Sequence, residues 1–207
     1  MKKIFFTLTI GTTLAISSCT ETTKKTDEGE IHEQEYISRE LGWIMEIPKG
    51  WEVSDLEKTK ESNERGAKAL EETLDMEVDD SAVKNLITFQ KNPFNIFHSS
   101  SEPFKLEYEG EWEENDSLLK IIVYDTYKNQ GIKADSSATT IEKIDGLDFR
   151  TYSFTIYSPK GDLIMKQIIY SRLIDGFSFT VSVNYNNEKD KGEMLQAFRK
   201  SKFNKRR

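Results

Sequence analysis

The clearest hydrophobic pattern lies in the C-terminal half of the chain. Between 177 and 185, apolar and polar side chains alternate, which predicts a strand with one dry face and one polar or partly wet face. Asp175 and Gly176 precede it and are the pair favoured in two-residue type I′ turns, so the strand should pair antiparallel with 163–174. The alternating residues are apolar Phe177, Phe179, Val181, Val183 and Tyr185 and polar Ser178, Thr180, Ser182 and Asn184.

Further apolar runs predict the remaining strands. The first, at 43–47, has Trp43, Met45 and Ile47 on one face. His98 and the serines at 99–101 predict a loop between two short strands. A tight turn at 145–146 and a hairpin loop at 158–162 connect the last strands. The other strands are expected at 86–90, 93–97, 104–108, 137–144, 147–157 and 163–174.

Three helices are predicted between and after these strands. Ser54 and Glu57 form a capping box that starts a helix over 55–76, whose polar middle, 58–65, commits it only partly to the core. A closing helix over 189–199 is followed by a basic, frayed tail at 200–207. The inward side chains are expected to be Leu118, Leu119, Ile122, Val123 and Thr126 in a second helix over 117–130, and Met194, Leu195 and Phe198 in the last.

The order of these elements defines the fold class. Strands joined by tight turns must be antiparallel, and helices interleaved with such a sheet give an α+β domain. We therefore predict an antiparallel β-sheet meander packed with helices in layers. A single domain over 36–207 suits a chain of 207 residues.

The N-terminus has the pattern of an export signal. Lys2 and Lys3 precede an uncharged apolar run that is too short to span a bilayer, which is typical of a signal peptide over 1–18. The sequence Ile16-Ser17-Ser18-Cys19 resembles the lipobox of bacterial lipoproteins. That resemblance implies cleavage before Cys19, acylation of this residue, and anchoring to a lipid bilayer through several acyl chains.

The residues after Cys19 are almost free of apolar side chains. We therefore predict that 19–35 is the lipidated cysteine followed by a disordered tether. Loss of 1–18 would take the formal charge from −7 to −9. The expected location is the bacterial cell envelope, with the outer membrane favoured over the inner, and the sequence leaves the exposed leaflet open.

Two segments resemble the PsbP-like superfamily. One is 42–51, where a strand is followed by Pro48 and, after two residues, by Trp51; the other is the closing helix with its Ser201-Lys202-Phe203 end. The resemblance implies an accessory or binding protein and carries over no catalytic residue. It implies packing roles for Trp43, Ile47, Trp51, Phe198 and Phe203.

Composition and motifs narrow the chemistry. The excess of acidic over basic residues, 36 against 29, argues against a nucleic-acid partner. One cysteine and two histidines provide few residues that could bind a metal or act as a general acid or base. His98 lies beside serines, but adjacency in sequence does not make a catalytic triad, and no nucleophile elbow or phosphate loop is present. The dense acidic stretches lack the spacing of a calcium loop. We predict no catalytic residue, no metal and no cofactor.

The favoured partner surface surrounds Trp112. An exposed aromatic ring among Glu111, Glu113 and Glu114 could hold a cationic ligand or a basic partner. The alternative is that Trp112 packs into the core. We expect a non-catalytic binding or accessory module with an envelope protein as partner. The alternatives are an envelope hydrolase acting on glycan or lipid, and a toxin-neutralising or secretion-associated protein.

The lipobox hypothesis predicts the fate of a Cys19→Ser variant. Without the thiol that receives the lipid, the protein should accumulate as an unlipidated, mislocalised precursor. Fractionation of envelopes, followed by blotting for the protein, measures this. Normal recovery of the variant in the membrane fraction would contradict the lipid anchor.

Overall fold

The computed structural model describes residues 24–204 and contains three helices and two sheets. All strand pairs are antiparallel, as the predicted α+β class requires. The elements are β1 (Glu30–His32), β2 (Glu35–Ile37), β3 (Trp43–Glu46), β4 (Glu52–Val53), α1 (Leu56–Leu74), β5 (Lys84–Asn92), β6 (Asn95–Pro103), α2 (Glu111–Asn129), β7 (Lys133–Ser136), β8 (Thr140–Ile144), β9 (Leu147–Tyr157), β10 (Leu163–Ile174), β11 (Phe177–Tyr185), α3 (Glu188–Lys200) and β12 (Lys202–Phe203).

The large sheet has the strand order β4-β5-β6-β11-β10-β9-β7, and β8 pairs with β9 beside β7. The predicted meander of β9, β10 and β11 is confirmed. Asp175 and Gly176 have φ values of 48° and 83°, so both lie in the left-handed region that a type I′ turn demands. The strand expected at 137–144 is shorter, since β8 begins at Thr140, and the strand β7 before it was not predicted; β7 and β8 lie end to end along β9.

The small sheet, with the order β1-β2-β3-β12, changes the boundaries of the domain. The prediction of a disordered tether is wrong from Lys24 onward, because β1 and β2 form a hairpin and the residues before them bind the edge of β5. The Asp27 N–H donates to the Asn85 carbonyl at 2.8 Å, and the Asp27 carboxylate accepts from the Asn85 N–H and side-chain amide. Hydrogen bonds thus order a segment that has few apolar side chains. Cys19 and the signal peptide lie outside the described residues.

The C-terminal tail is also more ordered than predicted. Lys202–Phe203 pairs with β3, and the Phe203 N–H donates to the Asp145 carboxylate at 2.8 Å. The ring of Phe203 stacks at 6.3 Å from that of Trp43. The prediction of a frayed tail is therefore wrong for these two residues, since a partly buried ring and a short strand fix them. Residues 205–207 lie outside the described range.

The main core lies between one face of the large sheet, the small sheet and α3. Trp43 of β3 lies 4.9 Å from Phe179 of β11 and 6.3 Å from Phe198 of α3, measured between ring centroids. All three side chains are fully buried. Met194 and Leu195 are buried with Phe198, which confirms the inward face predicted for the last helix.

The helices α1 and α2 cover the opposite face of the large sheet. Arg150 of β9 donates to the Asp116 carboxylate of α2 at 2.6 Å, and the Ser171 hydroxyl of β10 donates to the same carboxylate. Asp116 is only 6% exposed. A buried, charge-assisted contact therefore holds α2 to the sheet where an apolar stripe was expected, and Leu118 and Leu119 are exposed.

The start of α1 also differs from the prediction. Asp55 is the N-cap residue and makes no side-chain capping bond, so the capping box between Ser54 and Glu57 is wrong. The Ser54 N–H instead donates to the Thr88 carbonyl of β5, and the Leu56 N–H donates to the Lys24 carbonyl. The segment before β1 thus satisfies one of the free amides at the start of the helix.

The run at 93–108 shows the largest revision of the strands. One strand, β6, runs from Asn95 to Pro103 through the predicted loop at 98–101, and the strand predicted at 104–108 is wrong, because that segment is irregular. Ser99 and Ser101 lie on the core face, and the Ser99 hydroxyl both donates to the Ile87 carbonyl and accepts from its N–H. A hydrogen-bonded hydroxyl can take a core position, so the polar run does not end the strand.

Replacing Trp51 by alanine should destabilise the domain. The ring is 8% exposed, lies 5.5 Å from Phe89, and donates from Nε1 to Glu193 at 2.8 Å. Loss of an aromatic side chain at such a position costs about 3–5 kcal/mol of unfolding free energy. Urea denaturation of Trp51→Ala against wild type measures the cost, with Trp51→Phe as the control that keeps most of the apolar contact. An unchanged midpoint for the alanine variant would contradict the packing role.

Candidate functional site

A groove of about 730 Å³ lies between the first half of α1 and the polar face of the large sheet. The floor comes from neighbouring strands whose side chains share this face. His98 of β6 pairs with Ser182 of β11, which in turn pairs with Ile169 of β10. The polar floor and rim residues include Lys58, Thr59, Glu61, Asn63, Arg65, Thr88, Gln90, His98, Gln167, Ser182 and Asn184, and the apolar ones are Pro93, Ile96 and Ile169.

The polar composition of α1 keeps the groove from being filled. In this helix, Leu56 and Thr59 are the buried residues, whereas the side chains of Lys58, Glu61 and Arg65 are exposed. In the first half of the helix, the polar contacts to the rest of the domain lie on the side that faces Asp27 and Asn85. Asn63 donates to the Asn85 side chain at 2.6 Å, and Lys60 forms an ion pair with Asp27 at 3.2 Å. Since no large apolar side chain fills the gap beside these contacts, a concave polar surface remains.

His98 is the titratable side chain at the floor of the groove. Its Nδ1 lies 2.8 Å from the Thr88 hydroxyl, and the roles of donor and acceptor depend on the tautomer. Burial lowers its pKa from 6.5 to about 4, because the charged imidazolium loses its hydration. The ring is therefore neutral at pH 7. Among residues 24–204, no hydrogen bond reaches Nε2.

An ordered network of amides and hydroxyls covers the neighbouring part of the floor. The Tyr127 hydroxyl of α2 donates to Gln167 Oε1 at 3.2 Å, and Gln167 Nε2 donates to the Ser182 hydroxyl at 3.0 Å. Burial raises the pKa of Tyr127, so this hydroxyl stays a donor at neutral pH. Side chains held in this way present fixed polar groups to the groove.

Asn184 is the exception in this network. Its Oδ1 is buried and has no hydrogen-bond partner within the described part of the chain. A buried acceptor without a donor costs about 1–3 kcal/mol. The side chain lines the groove beside Gln167, its pairing neighbour on β10. The oxygen is closed off from solvent as the side chain stands, so a donor in the groove would satisfy it only after the Asn184 amide rotates to face the groove.

The surface predicted around Trp112 does not carry an exposed aromatic ring. Trp112 is 5% exposed, and its Nε1 donates to the Ser178 hydroxyl of β11 at 3.2 Å. The structure shows the alternative, in which Trp112 packs into the core, because α2 begins at Glu111, six residues earlier than expected, which turns the ring toward the sheet. Glu113 is exposed, whereas Glu111 and Glu114 accept hydrogen bonds from the Glu107 N–H and the Tyr108 hydroxyl.

The sequence indicates in part both the burial of Trp112 and the position of the groove. Trp112, Asp116 and Val123 follow one another at spacings of four and seven, which is the period of a helix and would have placed the tryptophan on its inner face. The polar face of β11 was predicted correctly. The contribution of β6 to the groove was missed because His98 and its serines were assigned to a loop.

The described residues hold neither a metal site nor a membrane-spanning helix. Within 24–204, no three side chains among His, Cys, Asp and Glu come together as a metal site. Over the same range, every helix is too short or too polar to cross a membrane. Cys19, the residue predicted to be lipidated, lies outside the described range.

Comparison with known proteins assigns the fold. No family model and no curated protein matches the chain. Among solved structures, the chain is similar to the solution structure of cyanobacterial PsbP (CyanoP) from Synechocystis sp. PCC 6803, with 10% identity and a TM-score of 0.56. The match covers 85% of this chain and 98% of that chain. The fold is therefore PsbP-like, as the sequence resemblance implied.

The lowered pKa of His98 predicts a specific dependence of stability on pH. Below pH 6.5 the His98 ring binds a proton in the unfolded chain, whereas in the folded chain it stays neutral down to about pH 4. Protonation therefore favours the unfolded state, and the free energy of unfolding falls as the pH falls from 6.5 to 4. Between pH 7 and pH 5, wild type should lose about 1–2 kcal/mol more unfolding free energy than His98→Gln, whose side chain stays neutral.

Urea denaturation of both proteins at the two pH values measures this difference. His32→Gln is the matched control, because His32 is exposed and pairs only with Glu30 on the surface. Equal losses in wild type and His98→Gln would contradict a buried, neutral imidazole.

Proposed function

We propose that the chain is a lipid-anchored protein of the bacterial cell envelope that acts as a non-catalytic binding module, with the α1 groove as its binding site. The observation that carries the binding role is Asn184, a residue that lines the groove and whose buried Oδ1 has no hydrogen-bond partner among residues 24–204. The lipobox at Cys19 supports the anchor, the outer membrane as location, and an envelope protein as partner.

The chemistry of the groove favours binding over hydrolysis. A general base needs a pKa near the working pH and a group that orients it, whereas His98 has a pKa of about 4 and contacts the Thr88 hydroxyl. Glu102, whose pKa is raised by burial, lies four residues further along β6, which places its Cα about 13 Å from that of His98. These two groups are too far apart to act together on one bond.

The test compares the full chain with an Asn184→Leu variant. Both proteins are expressed with their signal peptides, extracted from membranes in mild detergent, and weighed by native mass spectrometry. Wild type should carry an additional small-molecule mass that Asn184→Leu lacks. Identical spectra, with no bound mass in either protein, would argue against a binding role for the groove.

Ser101→Ala is the matched control for this test. The Ser101 hydroxyl is also buried and without a partner in the described residues, but it lies on the opposite, core face of the sheet. Its removal should leave the bound mass unchanged. Loss of the bound mass in both variants would show a general effect on the fold and would contradict the assignment to the groove.

A further inference from the structure

We propose that the groove binds a neutral, hydroxyl-rich molecule with the size of one or two sugar rings. This inference rests on the proposed function, since it names the ligand class of the same site. It follows from the charge of the floor, the hydrogen-bonding groups that remain free, the apolar surface, and the volume.

The floor of the groove carries no charge at neutral pH. His98 is neutral, and its neighbours on the floor are Thr88, Gln167, Ser182 and Asn184. The charged side chains belong to α1 at the rim, where Lys58 and Arg65 are opposed by Glu61. An ionised ligand group at the floor would lose its hydration without gaining an opposite charge, which is costly. This arrangement selects an uncharged ligand.

The free polar groups require a ligand with donors. Asn184 Oδ1 can only accept a hydrogen bond. Gln167 and Ser182 are already joined to each other, and they can accept or donate further bonds through their remaining lone pairs and hydrogens. A hydroxyl group both donates and accepts, so a molecule with several hydroxyls satisfies such a mixed set better than one with acceptors alone.

The remaining surface and the size of the groove define the rest of the ligand. Ile96, Ile169 and Pro93 provide small apolar contacts that suit the C–H face of a sugar ring, and the described residues place no Phe, Tyr or Trp ring in the lining of the groove. The volume of about 730 Å³ lies within the range of about 300–1,000 Å³ of small-molecule sites. A monosaccharide or disaccharide fits both limits.

The test is a titration of the full chain, purified in mild detergent, with defined probes. Glucose, N-acetylglucosamine and maltose are the neutral probes, and glucuronic acid and inorganic phosphate are the anionic ones. Binding is followed by isothermal titration calorimetry and by the NMR signals of the His98 ring. We expect at least one neutral sugar to bind at least tenfold more tightly than glucuronic acid or phosphate, and to shift the His98 signals.

The Asn184→Leu variant should bind that sugar at least tenfold more weakly. Its melting temperature should not fall, because the substitution removes an unpaired polar atom from the interior. Ser101→Ala should also keep its melting temperature but retain full affinity. If the leucine does not fit and the variant fails to fold, Asn184→Ala takes its place in the same titration.

The possible failures are distinguishable. Tighter binding of glucuronic acid or phosphate would overturn the neutral ligand class and leave the groove as a binding site. Equal affinity of the neutral sugar for wild type and Asn184→Leu would overturn the placement of the ligand beside Asn184. Absence of binding by every probe would overturn this inference, whereas the native mass spectra decide the binding function separately.

Discussion

The large sheet has to be covered on both faces, and the two faces differ: one is apolar, whereas the other carries buried rings such as Phe154 beneath α2 and polar side chains beneath α1. On the apolar side, Phe97, Phe179 and Val181 pack against the small sheet and α3, and burial of aromatic surface stabilises the contact. On the other side, the same strands present His98, Ser182 and Asn184, whose polar groups need partners wherever they are covered. Apolar burial therefore holds the first layer on the sheet, whereas hydrogen bonds hold the second layer, which leaves part of the polar face uncovered.

The helices on the polar face show how that incomplete covering is held in place. Asp116 binds Arg150 and Ser171, and Tyr127 binds Gln167, so α2 is fixed by directional contacts at several points. The first half of α1 is held mainly by Asn63 and by the segment around Asp27. Directional contacts fix positions without filling the volume between them, which is why a groove can persist in a well-ordered domain.

The sequence predicted the parts of the fold that depend on local alternation and turn chemistry. The meander from Leu147 to Tyr185 and the inner face of α3 follow from residues close together in the chain. The β1–β2 hairpin and β12 could not be predicted in this way, because Asp27 and Phe203 are ordered by Asn85 and Trp43, far away in sequence. Only one wall of the groove, the polar face of β11, could be predicted from the sequence. The contribution of β6 could not, because Ser99 and Ser101 have the polar pattern of a loop.

If Cys19 is acylated as proposed, the binding of Lys24 and Asp27 to the start of α1 and the edge of β5 leaves only a short link between the lipid and the domain. Five peptide steps separate Cys19 from Lys24, and a fully extended chain advances at most about 3.6 Å per residue, or roughly 18 Å in total. A domain tethered at this distance would stay close to the membrane surface and would not reach far into the periplasmic space or the medium. Its encounters would be confined to molecules that reach the headgroup layer, and the first turn of α1 would be its membrane-proximal end.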